Sequence, residues 1–354
     1  MPYITRAAQR FPNYRDARDF SSVNAAYDAI AAAGGGILQL GSYHEISSTL
    51  EITDPNVFVR GLGGGKSADV GSTFGTVGTR LKWTGASGGT IVDMYSPSGA
   101  SAQKMAGGGI SGICFDCNNV ADFGLKIRSW YSAEFTDLYF YEAEDCGLLV
   151  TVQSTLGESP STHECKFSKI KARNVLGSGD CIRLEGGAAV GAGNTCLNLF
   201  EQLAVRHKDG RGLVLGNTDN NLFNRVWVYR GSGTGNAIEF LGSNDGAAFV
   251  ARANIMTAVT TVAGTVARGT STYTHPSYNN FIEFLDKDNA SPSPTIETGA
   301  SLSCSRTDGV FGLIDGVTAP STVAGIAQIY VDTADGDLKV KYGDGTAKVI
   351  VADT

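Results

Sequence analysis

The sequence predicts an all-β chain wound as a parallel β-solenoid, and three observations support this prediction. A short alternating phrase recurs, a second phrase follows each copy at a nearly constant offset, and the shortest repeat leaves no room for a helix. Alternation of apolar and polar residues is typical of a half-buried β-strand. Repeats of about 20 to 50 residues indicate stacked architectures, because each repeat buries its apolar face only against its neighbours.

The first phrase starts with an apolar, usually aromatic, residue and places another apolar residue three positions later. Its copies begin at positions 110, 135, 167, 200 and 223, so their spacing falls within the repeat lengths of stacked architectures. The copies are Ile110–Phe115, Phe135–Phe140, Phe167–Ala172, Phe200–Val205 and Phe223–Val228. The shortest repeat, from Phe200 to Phe223, holds two or three short strands and their corners, which is one turn of a solenoid.

The second phrase gives each repeat a second strand. From the second copy onward it starts at positions 148, 182, 213 and 238, at a nearly constant offset after Leu138, Ile170, Leu203 and Val226. A polar, glycine-bearing corner such as Leu176–Asp180 joins the two strands. A β-sandwich with irregular strands does not predict these matched offsets, and the Asn or Cys ladder of leucine-rich repeats is missing.

The N-terminal region predicts one helix followed by short strands. Ser21–Ala33 is rich in alanine, Ser21 or Ser22 is a suitable N-cap, and Gly34–Gly36 ends the helix. This order, continued by a strand, Tyr43 and Val57–Gly63, resembles the opening of the pectate-lyase-like superfamily of right-handed parallel β-helices. The resemblance covers roughly residues 17–290, although the usual Gly-Asp-Gly and Asp-Asp-Thr stretch before the helix is absent.

This resemblance implies a right-handed parallel β-helix of the phage tailspike or head-spike type, with the helix as its cap. We expect an N-terminal arm and capping helix over 1–36, the parallel β-helix over 37–300 and a C-terminal module over 301–354. Residues 241–280 interrupt the repeat, and within them Ala247–Ala267 predicts extra strands. Asn279–Phe284 has a pattern that resumes the solenoid.

The C-terminal module predicts a small antiparallel β-meander. Gln328–Asp332, Asp337–Tyr342 and Lys348–Val351 alternate like strands, and two Asp-Gly pairs mark the turns between them. It resembles a short module at the ends of phage and prophage-type tail and fibre proteins. Because three isolated strands are marginally stable, we expect the module to associate with copies of itself or with the solenoid.

Composition limits the classes of partner. A net charge of −7 argues against nucleic acid as the main partner. The sequence contains no uninterrupted apolar run of about 18 residues, so we expect neither a membrane span nor an ordinary secretion signal. The seven cysteines are scattered, and Cys114 and Cys117 are the only close pair, so we expect no metal and no cofactor. Reduced cysteines suit folding in a cytoplasm.

The repeat register predicts an outer face that combines aromatic and basic residues. Rings stack on sugars and cations attract acidic glycans, but Tyr, Trp and Arg are also enriched at subunit interfaces. Both interpretations stay open for this face. The candidate polysaccharide-binding residues are Tyr139, Tyr141, Lys171, Arg173, Arg206, Trp227 and Tyr229.

Catalytic residues are not singled out by any motif. Glycoside hydrolysis needs two carboxyl groups about 5–9.5 Å apart, and a lyase needs a base beside a cation. The weak candidates are Glu142, Asp180, Glu201 and His207. Two long inserts, Thr151–His163 and Glu185–Cys196, fall on consecutive turns and predict neighbouring loops suited to recognition.

Together these features predict a receptor-binding spike or fibre protein of a phage or a phage-derived particle such as a gene transfer agent. We expect a homotrimer that binds host cell-surface polysaccharide, is made in the bacterial cytoplasm and lies on the virion surface. Its N-terminal arm or an adaptor protein would attach it to the capsid or tail. The alternatives are a polysaccharide depolymerase, hydrolase or lyase, on the same β-helix, and a structural decoration protein without a glycan ligand.

Overall fold

A computed structural model defines the architecture. It describes residues 13–64, 78–97, 105–153, 161–187, 193–241, 251–262, 266–267, 280–284, 302–306, 311–312, 319–320, 322 and 327–352. The described strands, in chain order, are β1 Tyr14–Asp16, β2 Gly36–Gln39, β3 Tyr43–Ile46, β4 Leu50–Ile52, β5 Val57–Arg60, β6 Arg80–Trp83, β7 Thr90–Tyr95, β8 Met105–Ala106, β9 Gly109–Asp116, β10 Phe123–Arg128, β11 Trp130–Tyr131, β12 Glu134–Tyr141, β13 Cys146–Thr151, β14 Thr162–His163, β15 Lys166–Asn174, β16 Asp180–Glu185, β17 Thr195–Cys196, β18 Leu199–His207, β19 Leu213–Gly216, β20 Thr218–Asp219, β21 Leu222–Arg230, β22 Ile238–Phe240, β23 Ile255–Val262, β24 Val266–Ala267, β25 Asn280–Phe284, β26 Leu302–Arg306, β27 Phe311–Gly312, β28 Gln328–Val331, β29 Leu338–Lys341 and β30 Ala347–Val351.

These strands form three parallel sheets and one antiparallel sheet. Sheet I has the order β1-β2-β5-β9-β12-β15-β18-β21-β23-β25-β26-β27, and β6 joins it by pairing with β9 on one side and β3 on the other. Within sheet I, only β26 and β27 pair antiparallel. Sheet II is β4-β7-β10-β13-β16-β19-β22-β24, and sheet III is β8-β11-β14-β17-β20. A complete turn passes through sheets II, III and I, as β13, β14 and β15 do. The predicted parallel β-helix is confirmed.

The predicted helix is also confirmed and covers the N-terminal end of the coil. Helix α1 spans Val23–Ala32, and the Ser22 side chain caps it by accepting a hydrogen bond from the backbone N–H of Ala25. Tyr27 and Ile30 are buried, and α1 packs against β1, β2 and β4, the first strands of the coil. A 3₁₀ turn precedes it, while residues 1–12 of the predicted arm lie outside the described residues.

The interior of sheet I contains a stack of aromatic rings, and these rings pair in the register that the sequence repeat predicts. Phe135, Phe167, Phe200 and Phe223 pair directly with one another and are fully buried. Successive ring centroids are 4.8, 4.3 and 4.7 Å apart, with the planes nearly parallel. Each ring therefore packs on the turns before and after it, so the stack joins four turns.

A bend explains why the phrase has apolar residues three positions apart on the same side. Asp137, Lys169, Gln202 and Arg225 have φ angles of 54° to 60°, in the left-handed region. These residues form a stacked bend rather than the ordinary outward column that the alternation suggests. Because the bend resets the side-chain direction, residues on both sides of it point into the core. The left-handed conformation costs about 1–2 kcal/mol per residue.

A ladder of buried asparagines lies at the corner between sheets III and I. The side-chain Nδ2 of Asn198, Asn221 and Asn254 donates to the Oδ1 of the next asparagine, at 3.0, 2.9 and 3.0 Å, and the ladder ends at Asn280. The same oxygens also accept backbone N–H groups. This confirms that Asn279–Phe284 resumes the solenoid, since Asn280 continues the ladder and β25 pairs with β23.

Two regions differ from, or extend, the expected organisation. Within Ala247–Ala267, strand β23 pairs with β21 in the regular parallel register of sheet I, so it belongs to the repeat and is not an extra strand. Residues 242–250 and 263–265 lie outside the described residues. Strand β26 continues sheet I at 302–306. The three C-terminal strands β28, β29 and β30 form the predicted antiparallel sheet. In the described part of the chain, no helix is long and apolar enough to span a membrane.

Candidate functional site

The outer face of sheet I carries two columns of side chains beyond the bend. The first column is Tyr43, Arg80, Cys114, Tyr139, Lys171, Ala204 and Trp227. The second column is Glu45, Lys82, Asp116, Tyr141, Arg173, Arg206 and Tyr229. We call these two columns the aromatic-basic face. All seven residues predicted to bind polysaccharide lie on it.

The rings and guanidinium groups of this face contact each other. The guanidinium carbon of Arg173 lies 5.2 Å from the ring centre of Tyr141, and that of Arg206 lies 5.1 Å from the ring centre of Tyr229. Trp227 stacks on Tyr229 with centroids 5.9 Å apart and planes 12° from parallel. Such contacts restrict side-chain rotation, so the rings and cations are held in place before any ligand arrives.

The face begins three turns earlier than the sequence predicts. Arg80 lies over the ring of Tyr43 at 5.9 Å and forms an ion pair with Asp116, whose Oδ2 accepts a hydrogen bond from Arg80 Nε at 2.8 Å. Lys82 occupies the next position of the second column. Tyr43 lies on β3, and Arg80 and Lys82 lie on β6. Neither strand contains the phenylalanine phrase, so only the strand pairing reveals the position of these three residues.

Accessibility separates the candidate binding residues into two groups. Tyr141, Lys171, Arg173, Arg206, Trp227 and Tyr229 are half-buried, so part of each side chain is open to a ligand. Tyr139 is only 6% exposed, and its burial raises the pKa of its hydroxyl well above the usual range. Tyr139 therefore supports the face from below, and its ring edge contacts Tyr141.

Glu142 is buried and makes structural contacts through both carboxylate oxygens. Its side chain is 1% exposed, and its Oε2 accepts hydrogen bonds from the backbone N–H groups of Val175 and Leu176, both at 2.9 Å. Its Oε1 lies 3.5 Å from Arg173 Nε. This carboxylate fixes the next corner and Arg173, and it is not open to a substrate in this arrangement.

The other weak catalytic candidates do not join Glu142 in one open site. Asp180 is buried and accepts hydrogen bonds from Arg211 Nε and Nη2 at 2.9 and 2.7 Å. Glu201 lies on the other side of the bend and forms a 3.2 Å ion pair with Lys166. His207, the last residue of β18, is fully buried, and its Nδ1 lies 2.7 Å from the carbonyl oxygen of Gly210.

His207 predicts a pH dependence of stability. Burial lowers its pKa, with a further lowering from Arg230, while the Gly210 carbonyl and Asp180 oppose this. The unfolded chain binds this proton at a higher pH than the folded chain, so the stability from neutral His207 is full above the ordinary pKa near 6.5. We expect the urea midpoint of unfolding to fall as pH decreases from about 8 to 5.5.

The matched variant for this prediction is His207→Asn. Asn174 occupies the equivalent position one turn earlier, so an asparagine suits this column. The variant should show a smaller decrease of the midpoint over the same pH range, and His44, whose pKa is also lowered by burial, should contribute to the decrease that remains. An unchanged decrease in His207→Asn would contradict the assignment.

A second candidate site lies on the outer face of sheet II. It is a cavity of about 250 Å³ lined by Lys126, Arg128, Leu149, Thr151, Val152, Gln153 and Glu185. Burial raises the pKa of the Glu185 carboxyl above its ordinary value, whereas Asp93 holds Arg128 through two hydrogen bonds at 3.0 and 2.6 Å. The buried Gln153 Oε1 has no hydrogen-bond partner among the described residues.

This cavity lies where the two long inserts begin. The predicted contact between the inserts is confirmed at their bases, where Ser161 Oγ lies 3.3 Å from Asn194 Oδ1 and the Thr162 N–H donates to the Asn194 carbonyl at 3.2 Å. Residues 154–160 and 188–192 of the inserts lie outside the described residues. Sequence alone did not distinguish Glu185 from other acids, because its pKa shift arises from the cavity.

The cysteines behave as small apolar residues. Cys114, Cys117, Cys146, Cys165 and Cys181 are buried, and burial raises the pKa of each thiol. A thiol with a raised pKa forms little of the reactive thiolate at neutral pH. These five side chains therefore contribute packing rather than chemistry.

Comparison with known proteins bears on the fold. No protein-family model matches the chain, and neither does any curated protein. The N-terminal fragment of bacteriophage phi29 gene product 12 matches with a TM-score of 0.58 and 11% identity, over 87% of this chain and 55% of that chain. At this identity the match shows a shared fold and no more.

Two further solved structures match with TM-scores below 0.5. ORF18 of Geobacillus virus E2 has a TM-score of 0.47 and 13% identity, over 99% of this chain and 88% of that chain. The Dettilon tailspike protein has a TM-score of 0.39 and 11% identity, over 94% of this chain and 76% of that chain.

Proposed function

We propose that this chain is a receptor-binding spike or fibre protein of a phage or phage-derived particle, and that its aromatic-basic face binds host cell-surface polysaccharide. The observation that carries the proposal is the set of rings and cations that contact each other on one outer face of sheet I. Aromatic rings offer apolar faces to sugar rings, and guanidinium groups donate paired hydrogen bonds to hydroxyl or carboxylate oxygens. The sheet spaces these groups at intervals of about 4.8 Å.

Apolar surfaces elsewhere are better suited to subunit contacts. Leu197, Leu222 and Ile255 are exposed at another corner of the solenoid, and Ile329 and Val351 are exposed on the C-terminal sheet. The core of a subunit interface is usually apolar and poor in charge, whereas the aromatic-basic face is rich in cations. We therefore assign self-association to the apolar surfaces and propose a homotrimer, whose mass native mass spectrometry would measure.

The proposal includes a place on the virion. The fold shared with the phi29 fragment supports it at the level of the fold, as does the sequence resemblance to phage β-helix spikes. The N-terminal arm or an adaptor protein would join the spike to the capsid or tail after synthesis in the bacterial cytoplasm. A pull-down of particle proteins with chains containing and lacking residues 1–12 would test the role of the arm.

The binding proposal predicts a loss of affinity when rings are removed. Trp227→Ala and Tyr229→Ala should each weaken binding to the recognised polysaccharide by about 1 kcal/mol, roughly fivefold, because each removes a stacking surface. Binding of the full chain to a panel of bacterial capsular, exopolysaccharide and wall polymers would identify the ligand and measure the change.

Phe58→Ala provides the matched control for these variants. Phe58 is an exposed aromatic residue of β5 that lies outside the aromatic-basic face, so its loss should leave affinity unchanged. Equal binding by all three variants would contradict the assignment of the face. Failure of the unaltered chain to bind any polymer would favour the structural decoration protein.

The cavity on sheet II favours a second candidate function, a polysaccharide depolymerase. A carboxyl with a raised pKa in a cavity is suited to general-acid catalysis of glycosidic cleavage. If the chain cleaves its polysaccharide, Glu185→Gln should lower the rate at least 100-fold and leave binding to the face intact. The assay measures new reducing ends and unsaturated uronates, and cleavage that survives Glu185→Gln would exclude this assignment.

A further inference from the structure

Two like-charged residues lie side by side at the centre of the aromatic-basic face. Arg173 on β15 pairs directly with Arg206 on β18 in the parallel register. Their backbones are about 4.8 Å apart, so the two side chains leave the sheet as neighbours. Two guanidinium groups on neighbouring strands can both donate hydrogen bonds to one anionic group placed between them.

The side chains around this pair suit an anionic ligand. Lys171 adds a third cation on the same face of β15, and the side chain of Ala204, beside it on β18, is short. Tyr141 lies on one side of the arginine pair, and Tyr229 lies on the other. These two tyrosines are three strand spacings apart, about 14 Å, with the cations between them.

The arginines are held in place before a ligand binds. Arg173 rests against the buried Glu142 and the ring of Tyr141, and Arg206 rests against the ring of Tyr229. Both side chains are half-buried, where charges are screened less than on an open surface. A planar guanidinium presents donors in the geometry of an oxyanion, and two neighbouring guanidiniums can share one anionic group.

We infer that the aromatic-basic face selects acidic polysaccharide by binding a carboxylate, phosphate or sulfate group between Arg173 and Arg206. This inference rests on the proposed function, since it names the chemical class of the glycan that the face would bind. The anionic group would be held by the two guanidiniums with Lys171 beside it, and the adjoining sugar ring would stack on Trp227 or Tyr229. Neutral polysaccharide would lose the first of these two contacts.

Three polymers that share one backbone test the inference. Dextran, carboxymethyl-dextran and dextran sulfate of equal length are immobilised, and binding of the full chain is measured at about 0.15 M NaCl. The two charged polymers should bind at least tenfold more tightly than dextran. Arg206→Gln should remove most of this difference, and Arg206→Lys should keep part of it, because lysine retains the charge and loses the paired donors.

Arg225→Gln is the matched control. It removes the same charge from an exposed position at the bend of the next strand, and Gln202 occupies the equivalent bend position on β18, so glutamine fits there. Its affinity for the charged polymers should change less than twofold. An equal loss in Arg225→Gln and Arg206→Gln would overturn the inference, because attraction would then follow overall charge.

A second measurement keeps the test valid if Arg206→Gln does not fold. Affinity of the unaltered chain for carboxymethyl-dextran should fall at least threefold between about 0.05 and 0.3 M NaCl, since ion pairing weakens with salt. Affinity for dextran should not change. Equal affinity for dextran and both charged polymers would overturn the inference.

The polysaccharide panel separates this failure from failure of the proposed function. Binding of a neutral polymer that Trp227→Ala weakens and Arg206→Gln leaves unchanged would contradict the choice of an acidic glycan and retain the spike proposal. Absence of binding to every polymer would contradict both.

Discussion

Asn221→Ala should lower the free energy of unfolding by about 3 kcal/mol or more, because it leaves several buried polar groups without partners. The Asn221 Nδ2 donates to Asn254 Oδ1 at 2.9 Å and to the Thr195 carbonyl at 3.0 Å. Its Oδ1 accepts from the backbone N–H and the side chain of Asn198, at 3.1 and 3.0 Å. Each buried group left unpaired costs about 1–3 kcal/mol.

The cost also reflects the position of Asn221 within the ladder. It joins the asparagines on either side, so its loss separates the ladder into two parts. Stability in a solenoid depends on contacts between neighbouring turns, and an interruption in the middle weakens the coupling of both halves. Urea unfolding followed by circular dichroism measures the change. The broken coupling should also lower the steepness of the transition.

Asn224→Ala is the control for this variant. Asn224 lies on the same strand but points outward, where its Oδ1 accepts from Thr257 Oγ1 at 3.3 Å. Its replacement should cost less than about 1 kcal/mol, as most surface substitutions do. If Asn221→Ala costs no more than Asn224→Ala, the ladder does not stabilise the fold as described.

Phe200→Ala is the second substitution with a large expected effect, a loss of about 3–5 kcal/mol. The ring is fully buried, with its centroid 4.3 Å from that of Phe167 and 4.7 Å from that of Phe223. Removing it deletes apolar contacts on both sides and leaves a cavity that the rigid strands cannot close. The same urea experiment measures the loss.

Two further substitutions establish what the ring contributes. Phe200→Leu retains most of the apolar volume and should cost about 1.5 kcal/mol. Phe58→Ala removes a ring of similar size that is 45% exposed, and should cost less than about 1 kcal/mol. Losses of equal size in Phe200→Ala and Phe58→Ala would show that the buried stack does not carry the expected energy.

The sequence was sufficient to predict the coil because its interior is periodic. Phe135, Phe167, Phe200 and Phe223 occupy one column, and the second phrase fixes a second sheet, so the register followed from spacing alone. The bend was not predicted, since Asp137 and Arg225 adopt left-handed backbone without the glycine that usually signals it. The asparagine ladder was also missed, because earlier turns have Ala133 and Cys165 at that position.

The candidate site was predicted in position but not in detail. The register placed Tyr141, Arg173 and Tyr229 on one face, and the structure confirms that they lie together. The burial of Tyr139 and the structural role of Glu142 depend on groups from neighbouring turns, which are distant along the chain. The raised pKa of Glu185 likewise arises from its surroundings. Alternation within one strand contains no information about such neighbours.

The asparagine ladder has a consequence for the length of the molecule. Each rung offers the next turn the same donors and acceptors that it receives from the turn before it, so any two rungs are interchangeable as neighbours. A whole turn could be gained or lost by duplication or deletion while the cross-section stays constant. The length of the solenoid could therefore change in evolution independently of the residues on its outer faces.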